Sequence, residues 1–337
     1  MEEYAHIKLS EDWYNDRFGM SFSEDFWADP IRRTENFRQL SYETALKYPH
    51  IGEGNFDPIP DPQPAERYSH RFMPALFGCE IVYKENQAPA ALPLDVGIEE
   101  LARLPVPKLH KNDVFKKALS DAAILKSKYG FVNGAINTGS PLNVAVTVFG
   151  ENFLAACASE PNVARHVLMV IAETEINLIN EYSSVVQPNY PRAPYHIGYG
   201  NCPAIMVSPA TYCEVVLPVD MWIRRQCAVF SIHHCGVFDR YAKIYTELSP
   251  FALDVGANSD YRSLREYFPE TMCSYIIDNG FIEGQKREVI DETIRCVVEE
   301  GGPPQLISVL RAYGLSKNAT EENLIDFRTS AKRQGLV

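Results

Sequence analysis

The chain contains no run of about 18 consecutive apolar residues, so no segment reads as a membrane span. It also lacks a Cys-x-x-Cys pair, a Gly-x-Ser-x-Gly elbow, a Gly-Lys-Ser/Thr phosphate loop and a His-Glu-x-x-His helix. The commonest signatures of dithiol redox, serine-hydrolase, nucleotide-triphosphate and zincin chemistry are therefore missing. Positive charge is in deficit: 32 Lys and Arg stand against 44 Asp and Glu, for a net charge of −12 and a pI near 5.2. Such a surface repels phosphate backbones and anionic bilayers, which excludes nucleic acid and membrane as expected partners. The start, Met1-Glu2-Glu3-Tyr4-Ala5-His6, has neither the basic head nor the apolar core of a secretory signal. The eight cysteines are scattered. Together these point to a cytoplasmic protein with reduced thiols.

What is present supports a sizeable core. Hydrophobic residues make up 46% of 337, enough for one large α/β domain or two ordinary ones. Residues 1–70 read as an N-terminal extension of helices and loops. Trp13, Tyr14, Phe18, Phe22, Phe26 and Trp27 need a surface to cover them, and a proline-rich connector runs from Pro49 to Pro64. Residues 71–337 read as the main domain, with a second connector from Pro89 to Pro107 and a short helical piece near Gly97 to Leu104.

From about residue 110 the periodicity alternates. Helix patterns cover Asp113 to Lys128, a segment capped by Ser159 with Pro161 in its first turn, Pro209 to Gln226, Asp239 to Leu248, Tyr261 to Tyr267 and Lys286 to Glu300. A last helix is capped by Thr320. Strand patterns cover Phe131 to Asn137, Ala193 to Tyr199, Cys227 to Ile232, Phe251 to Val255, Met272 to Ile277 and Gln305 to Leu310. Strands separated by helices pair in parallel through right-handed crossovers. The dinucleotide alternative fails, because Gly198-Tyr199-Gly200-Asn201-Cys202-Pro203 lacks the third glycine and opens no helix. The expected fold class is α/β, a (β/α)8 TIM barrel.

In such a barrel the chemistry sits where strands end. The run Val229-Phe230-Ser231-Ile232-His233-His234-Cys235-Gly236 is the most informative, a β-rich stretch emptying into zinc-favoured ligands. The other strand ends offer Tyr199, Asn201, Cys202, Asp254, Asn258, Asp260, Cys273, Tyr275, Asp278, Asn279 and Tyr313. Three cysteines from three strands, beside a histidine, form a candidate metal site: His233, Cys235, Cys202 and Cys273. The plain alternative for each is a buried core thiol. Tyr199, Asn201 and Asn279 are candidate substrate contacts, and His234 and Asp254 candidate catalytic groups. Asp260 reads more simply as a helix cap.

The block from about Ser208 onward resembles the uroporphyrinogen decarboxylase superfamily. The resembling segments are Val207-Ser208-Pro209-Ala210-Thr211-Tyr212 with Val216-Leu217-Pro218, then His233-His234-Cys235-Gly236, Phe251 to Asp260, and Asn318 to Leu324. Upstream, Gly139-Ser140-Pro141 with Phe149-Gly150-Glu151-Asn152-Phe153 matches the superfamily's earlier strand end and helix. The superfamily includes zinc-dependent methyltransferases of corrinoid systems, and membership implies a (β/α)8 barrel. No arginine-rich opening of the porphyrinogen-decarboxylase kind is present; Ile31-Arg32-Arg33 is the nearest run.

The resemblance to coenzyme-M-type methyltransferases implies that His-x-Cys supplies two zinc ligands. Their third, a cysteine before the last helix, falls near Tyr313, and no cysteine lies beyond Cys296. Tyr313 then stands as a catalytic candidate, as metal ligand or proton donor, while O-demethylase relatives use other ligand spacings that Cys202 and Cys273 would fit. The implied function is a methyltransferase that passes a methyl group between a small methylated substrate and the cobalamin of a corrinoid-binding partner protein. A metal-independent decarboxylase or lyase on a small carboxylate, and a non-catalytic binding protein, remain the alternatives. A homodimer is left open.

Overall fold

The computed structural model describes residues 5–186 and 196–335. Six strands form one parallel sheet in the order β1-β8-β7-β6-β5-β4, where β1 is Ala5–Leu9, β4 His196–Gly200, β5 Val229–His234, β6 Ala252–Val255, β7 Met272–Ile276 and β8 Ile307–Leu315. A separate antiparallel hairpin pairs β2 (Ile81–Lys84) with β3 (Gln87–Ala91). Helices cross over between the sheet strands on one side, and the sheet curls around a cavity on the other.

Alternation within each strand creates these two sides. In β5, Phe230, Ile232 and His234 are buried, while Val229, Ser231 and His233 line the cavity. In β6 the buried residues are Leu253 and Val255, and Ala252 and Asp254 line the cavity. The outer side is apolar and packs on helices such as Leu217–Arg224 and Asp239–Tyr245, with Val219, Ile223 and Tyr241 fully covered. The helix Pro141–Ser159 is the one described helix with the length and mean hydropathy of a membrane span. Its Leu142, Ala145, Val148 and Phe153 are buried in this core.

Several expectations from the sequence are corrected. The six-stranded sheet is a curled part-barrel, and a closed eight-stranded ring is not formed by the described residues. Phe131 to Asn137 is irregular and joins no ladder. It runs beside the cavity, with Asn133 donating from its main chain to Pro62 and Ser140 to Gly200 at 2.9 and 3.2 Å. The first three residues of the 193–199 strand lie outside the described residues. Ser159 starts no helix: it ends Pro141–Ser159, and its hydroxyl donates back to the Ala155 carbonyl. Asp260 and Thr320 do cap their helices, accepting from the main chain of Ser263 and Asn323.

The N-terminal residues are woven into the sheet. β1 pairs with β8 from Ala5 opposite Leu310 to Leu9 opposite Leu315. Directly after it, Trp13 is buried and its indole N–H donates to the Ala319 carbonyl at 3.2 Å. Phe22, Phe26, Trp27 and Leu40 form a smaller satellite cluster. A boundary at residue 70 therefore separates a main-sheet strand from its own sheet.

Candidate metal centre and active site

Two strand ends meet at the rim. After β4 the chain turns so that the Asn201 N–H donates to the His233 carbonyl at 2.7 Å, which sets Cys202 beside the end of β5. There the one-residue alternation decides between the two histidines: His233 faces the cavity and His234 is turned into the helix layer. Past Cys235, two glycines allow close packing. A Cβ at Gly256 would stand 2.1 Å from the Gly236 carbonyl oxygen and 2.5 Å from the Cys235 carbonyl carbon. No other residue leaves the chain end that room. The outcome is that one ligand atom each from Cys202, His233 and Cys235 lie within 4.8 Å of one another.

Charged groups hold this cluster from the cavity side. His233 Nδ1 lies 3.1 Å from Asp254 Oδ2, leaving Nε2 as the nitrogen free to ligate. Asp254 is held in turn by the Arg311 guanidinium at 3.4 Å. Burial opposes the His233 charge, but Asp254 and the Cys202 sulfur overcome it and carry the imidazole up to about 9. The hydrogen bond from Cys235, helped by His233, draws the Cys202 thiol down to about 4. The same bond pushes Cys235 up, so the pair shares one proton. Burial opposes ionisation of Asp254 as well, yet His233 and Arg311 keep it below the usual carboxylate range.

Two sulfurs and one imidazole are a zinc donor set, and three protein ligands leave a coordination position for a reacting molecule. A carboxylate behind the ligating imidazole is the arrangement that fixes ring orientation in zinc sites. The residues present thus fit the ion. Replacing Asp254 with asparagine keeps the shape but removes the charge, and zinc affinity is expected to fall by about 10- to 100-fold in chelator competition.

The remaining candidates separate by side. Tyr313 lies within β8 rather than after it, and its ring meets His233 edge-on with centroids 5.8 Å apart. Arg311 donates to its hydroxyl. Asn279 lines the cavity mouth and ties its loop to β8 by donating to the Gly314 carbonyl at 3.0 Å.

Five candidates are turned away. Cys273 is fully buried in the β7 register of Leu253, its thiol toward the Thr271 carbonyl, so it does not join the other two cysteines. Tyr199 sends its hydroxyl outward to Asp220, and Asn201 and His234 are enclosed among Tyr212 and Tyr245. Their strand phase puts them behind the site rather than in it. Tyr275 faces outward too, and Asp278 caps its own turn. Sequence reading missed Arg311 and Lys8. A charged residue inside a strand of an otherwise apolar parallel sheet was the available signal.

The cavity measures about 1720 Å³. Its walls include Lys8, His196, Ser231, Ser274, Arg311 and the irregular segment from Asn133 to Asn137. Behind that segment Glu175 is enclosed, accepting from Thr138 at 2.6 Å. Burial, with a smaller push from Asp220, raises its carboxyl to about 8 despite that bond. Below pH 4.5 the carboxyl is protonated in both folded and unfolded chains, and no stability difference arises. Between 4.5 and about 8 the unfolded chain loses the proton while the folded one retains it, so stability falls as pH rises. Glu175→Gln should therefore gain melting temperature over the parent across that window and match it at pH 4. A constant difference at all pH values would contradict the assignment.

No family model and no curated protein matches the chain. Its architecture is nevertheless that of TIM-barrel-like proteins, because solved structures match it over nearly its full length. A methyltransferase from Methanosarcina mazei superposes with a TM-score of 0.64 and 14% identity, over 99% of this chain and 94% of that one. A B12-independent methionine synthase from Shewanella sp. W3-18-1, in complex with selenomethionine, gives 0.51 and 12%, over 99% and 98%. At these identities the likeness is one of fold.

Proposed function

We propose that this chain is a zinc-dependent methyltransferase that moves a methyl group between a small methylated substrate and the cobalamin of a corrinoid-binding partner. The observation that carries the reading is the convergence of Cys202, His233 and Cys235 at the open rim of a large cavity. The fold shared with a methyltransferase supports it.

Zinc held by these three residues would supply Lewis acidity, drawing electron density from a substrate heteroatom so that its methyl group leaves more readily. The chain's own groups would do the rest. Asp254 holds the His233 ring in place, and Arg311 fixes both Asp254 and Tyr313. Because the Tyr313 hydroxyl accepts from Arg311, its own hydrogen is free to point at a molecule in the cavity. Burial, with Asp254 nearby, raises its pKa, so the proton stays on at neutral pH. It is suited to hold a heteroatom that gains negative charge as the methyl group departs. Exposed Ile205, Met206 and Val237 lie near the cluster in sequence, with Ile205 packed against Gly236, and offer apolar surface for a partner.

Tyr313→Phe removes only the hydroxyl. Turnover should fall by about 10² with zinc content unchanged. The reading itself is tested by incubating the protein with methyl ethers or methylamines and free cob(I)alamin, and following methylcobalamin by absorbance. Formation that requires zinc supports it. Metal-free protein that instead decarboxylates a small acid would replace it with the lyase reading.

A further inference from the structure

We propose that the buried polar side chains behind the rim, centred on Asn201, position the two chain segments that carry the metal ligands. The inference rests on the metal reading above and concerns polar side chains hydrogen-bonded to one another behind the rim.

The bonds are continuous. Asn201 Nδ2 donates to the Tyr212 hydroxyl at 2.7 Å and to the Tyr245 hydroxyl at 3.1 Å. Asn201 Oδ1 accepts from Ser140 Oγ at 3.2 Å. The Tyr212 and Tyr199 hydroxyls donate to the two oxygens of Asp220. Tyr245, in turn, lies 2.9 Å from His234 Nδ1. Asn201, Ser140, Tyr212, Asp220, Tyr245 and His234 are all fully buried.

Two features separate this set from ordinary core filling. Both N–H groups of the Asn201 amide and its oxygen each have a named partner, in surroundings where a lost bond is costly. Both ends of the set also continue directly into ligands. Asn201 precedes Cys202, and His234 stands between His233 and Cys235. The Asn201 main-chain bond to His233 closes the loop between the two segments. Ligands drawn from two separate chain segments hold a metal well only when placed to within about 0.5 Å beforehand. The set clamps those segments to each other, to the helix Leu217–Arg224 through Asp220 and to the helix Asp239–Tyr245 through Tyr245.

Tyr245→Phe and Asn201→Ala test this with three measurements on the full chain. The first is zinc affinity by chelator competition. The second is the melting temperature of the zinc-free protein. The third is the rate at which diamide joins Cys202 to Cys235, read by peptide mass spectrometry. In that reaction each thiol gives up its hydrogen, a sulfur–sulfur bond forms, and the diazene is reduced to the hydrazine. The expected result is about 10-fold weaker zinc binding for Tyr245→Phe, and about 10-fold slower cross-linking because the two sulfurs are no longer held together. A core-filling role would lower the melting temperature and leave both other readouts at the parent values, which would overturn the proposal. If Asn201→Ala does not fold, Tyr245→Phe decides alone. If the parent binds no zinc, the metal reading falls, and the cross-linking rate still decides whether the set positions the thiols.

Discussion

Cys235→Ala is expected to leave the protein folded and without zinc. The residue is exposed at the rim, so its removal costs little packing. It is also one of the three proposed ligands, and a site reduced to one thiolate and one imidazole would lose most of its affinity. Zinc content should drop from near one per chain to background after dialysis, and methyl transfer should fall by about 10³ or more. Two further alanines complete the experiment. Cys213→Ala removes another exposed thiol and should change nothing. Cys273→Ala removes a fully buried one on the helix side; it should lower stability while keeping the zinc. Zinc retained in Cys235→Ala and lost in Cys273→Ala would place the centre elsewhere.

Starting the chain at Pro30 is expected to abolish folding. The deletion takes away β1, leaving β8 with a bare edge, and with it the buried Ile7, Leu9, Trp13, Phe22, Phe26 and Trp27. At about 1.5–3 kcal/mol for each large apolar side chain withdrawn from the core, the loss reaches the whole 5–15 kcal/mol by which domains are stable. The shortened chain should be insoluble, or should melt without a cooperative transition. A soluble fragment that melts sharply would show that the first 29 residues are an attachment after all.

How far the sequence speaks for itself is visible in these same residues. Val229 to Gly236 could be read as a strand that ends in ligand-type side chains, and β5 with the adjoining turn brings His233 and Cys235 beside Cys202. Caps at Asp260 and Thr320 were equally readable, being local hydrogen bonds set by adjacent residues. Side of the sheet was not. The pattern Cys227 to Ile232 stops one residue short of the histidines, whereas β5 runs through both. Side-chain period two then sends His234, Tyr199 and Cys273 outward while keeping His233 and Asp254 in the cavity.

β1 was hidden for a different reason. Ala5–Leu9 is short, amid an aromatic and helical N-terminus, and only its pairing with β8 some 300 residues away makes it a strand. Phe131 to Asn137 failed the other way, with apolar residues at strand spacing and no neighbouring ladder to join. Arg311 is the omission that matters most for chemistry. It anchors Asp254 and Tyr313 together, and nothing local announces a partner that sits two strands away.

The two segments ending β4 and β5 are proposed to build a zinc centre from Cys202, His233 and Cys235. Elemental analysis of the protein purified without chelators, beside Cys202→Ala, tests it most directly. The expected result is close to one zinc per parent chain and background metal in the variant. A parent protein free of zinc that still transfers methyl groups would contradict it, as would a Cys202→Ala variant that retains the full complement.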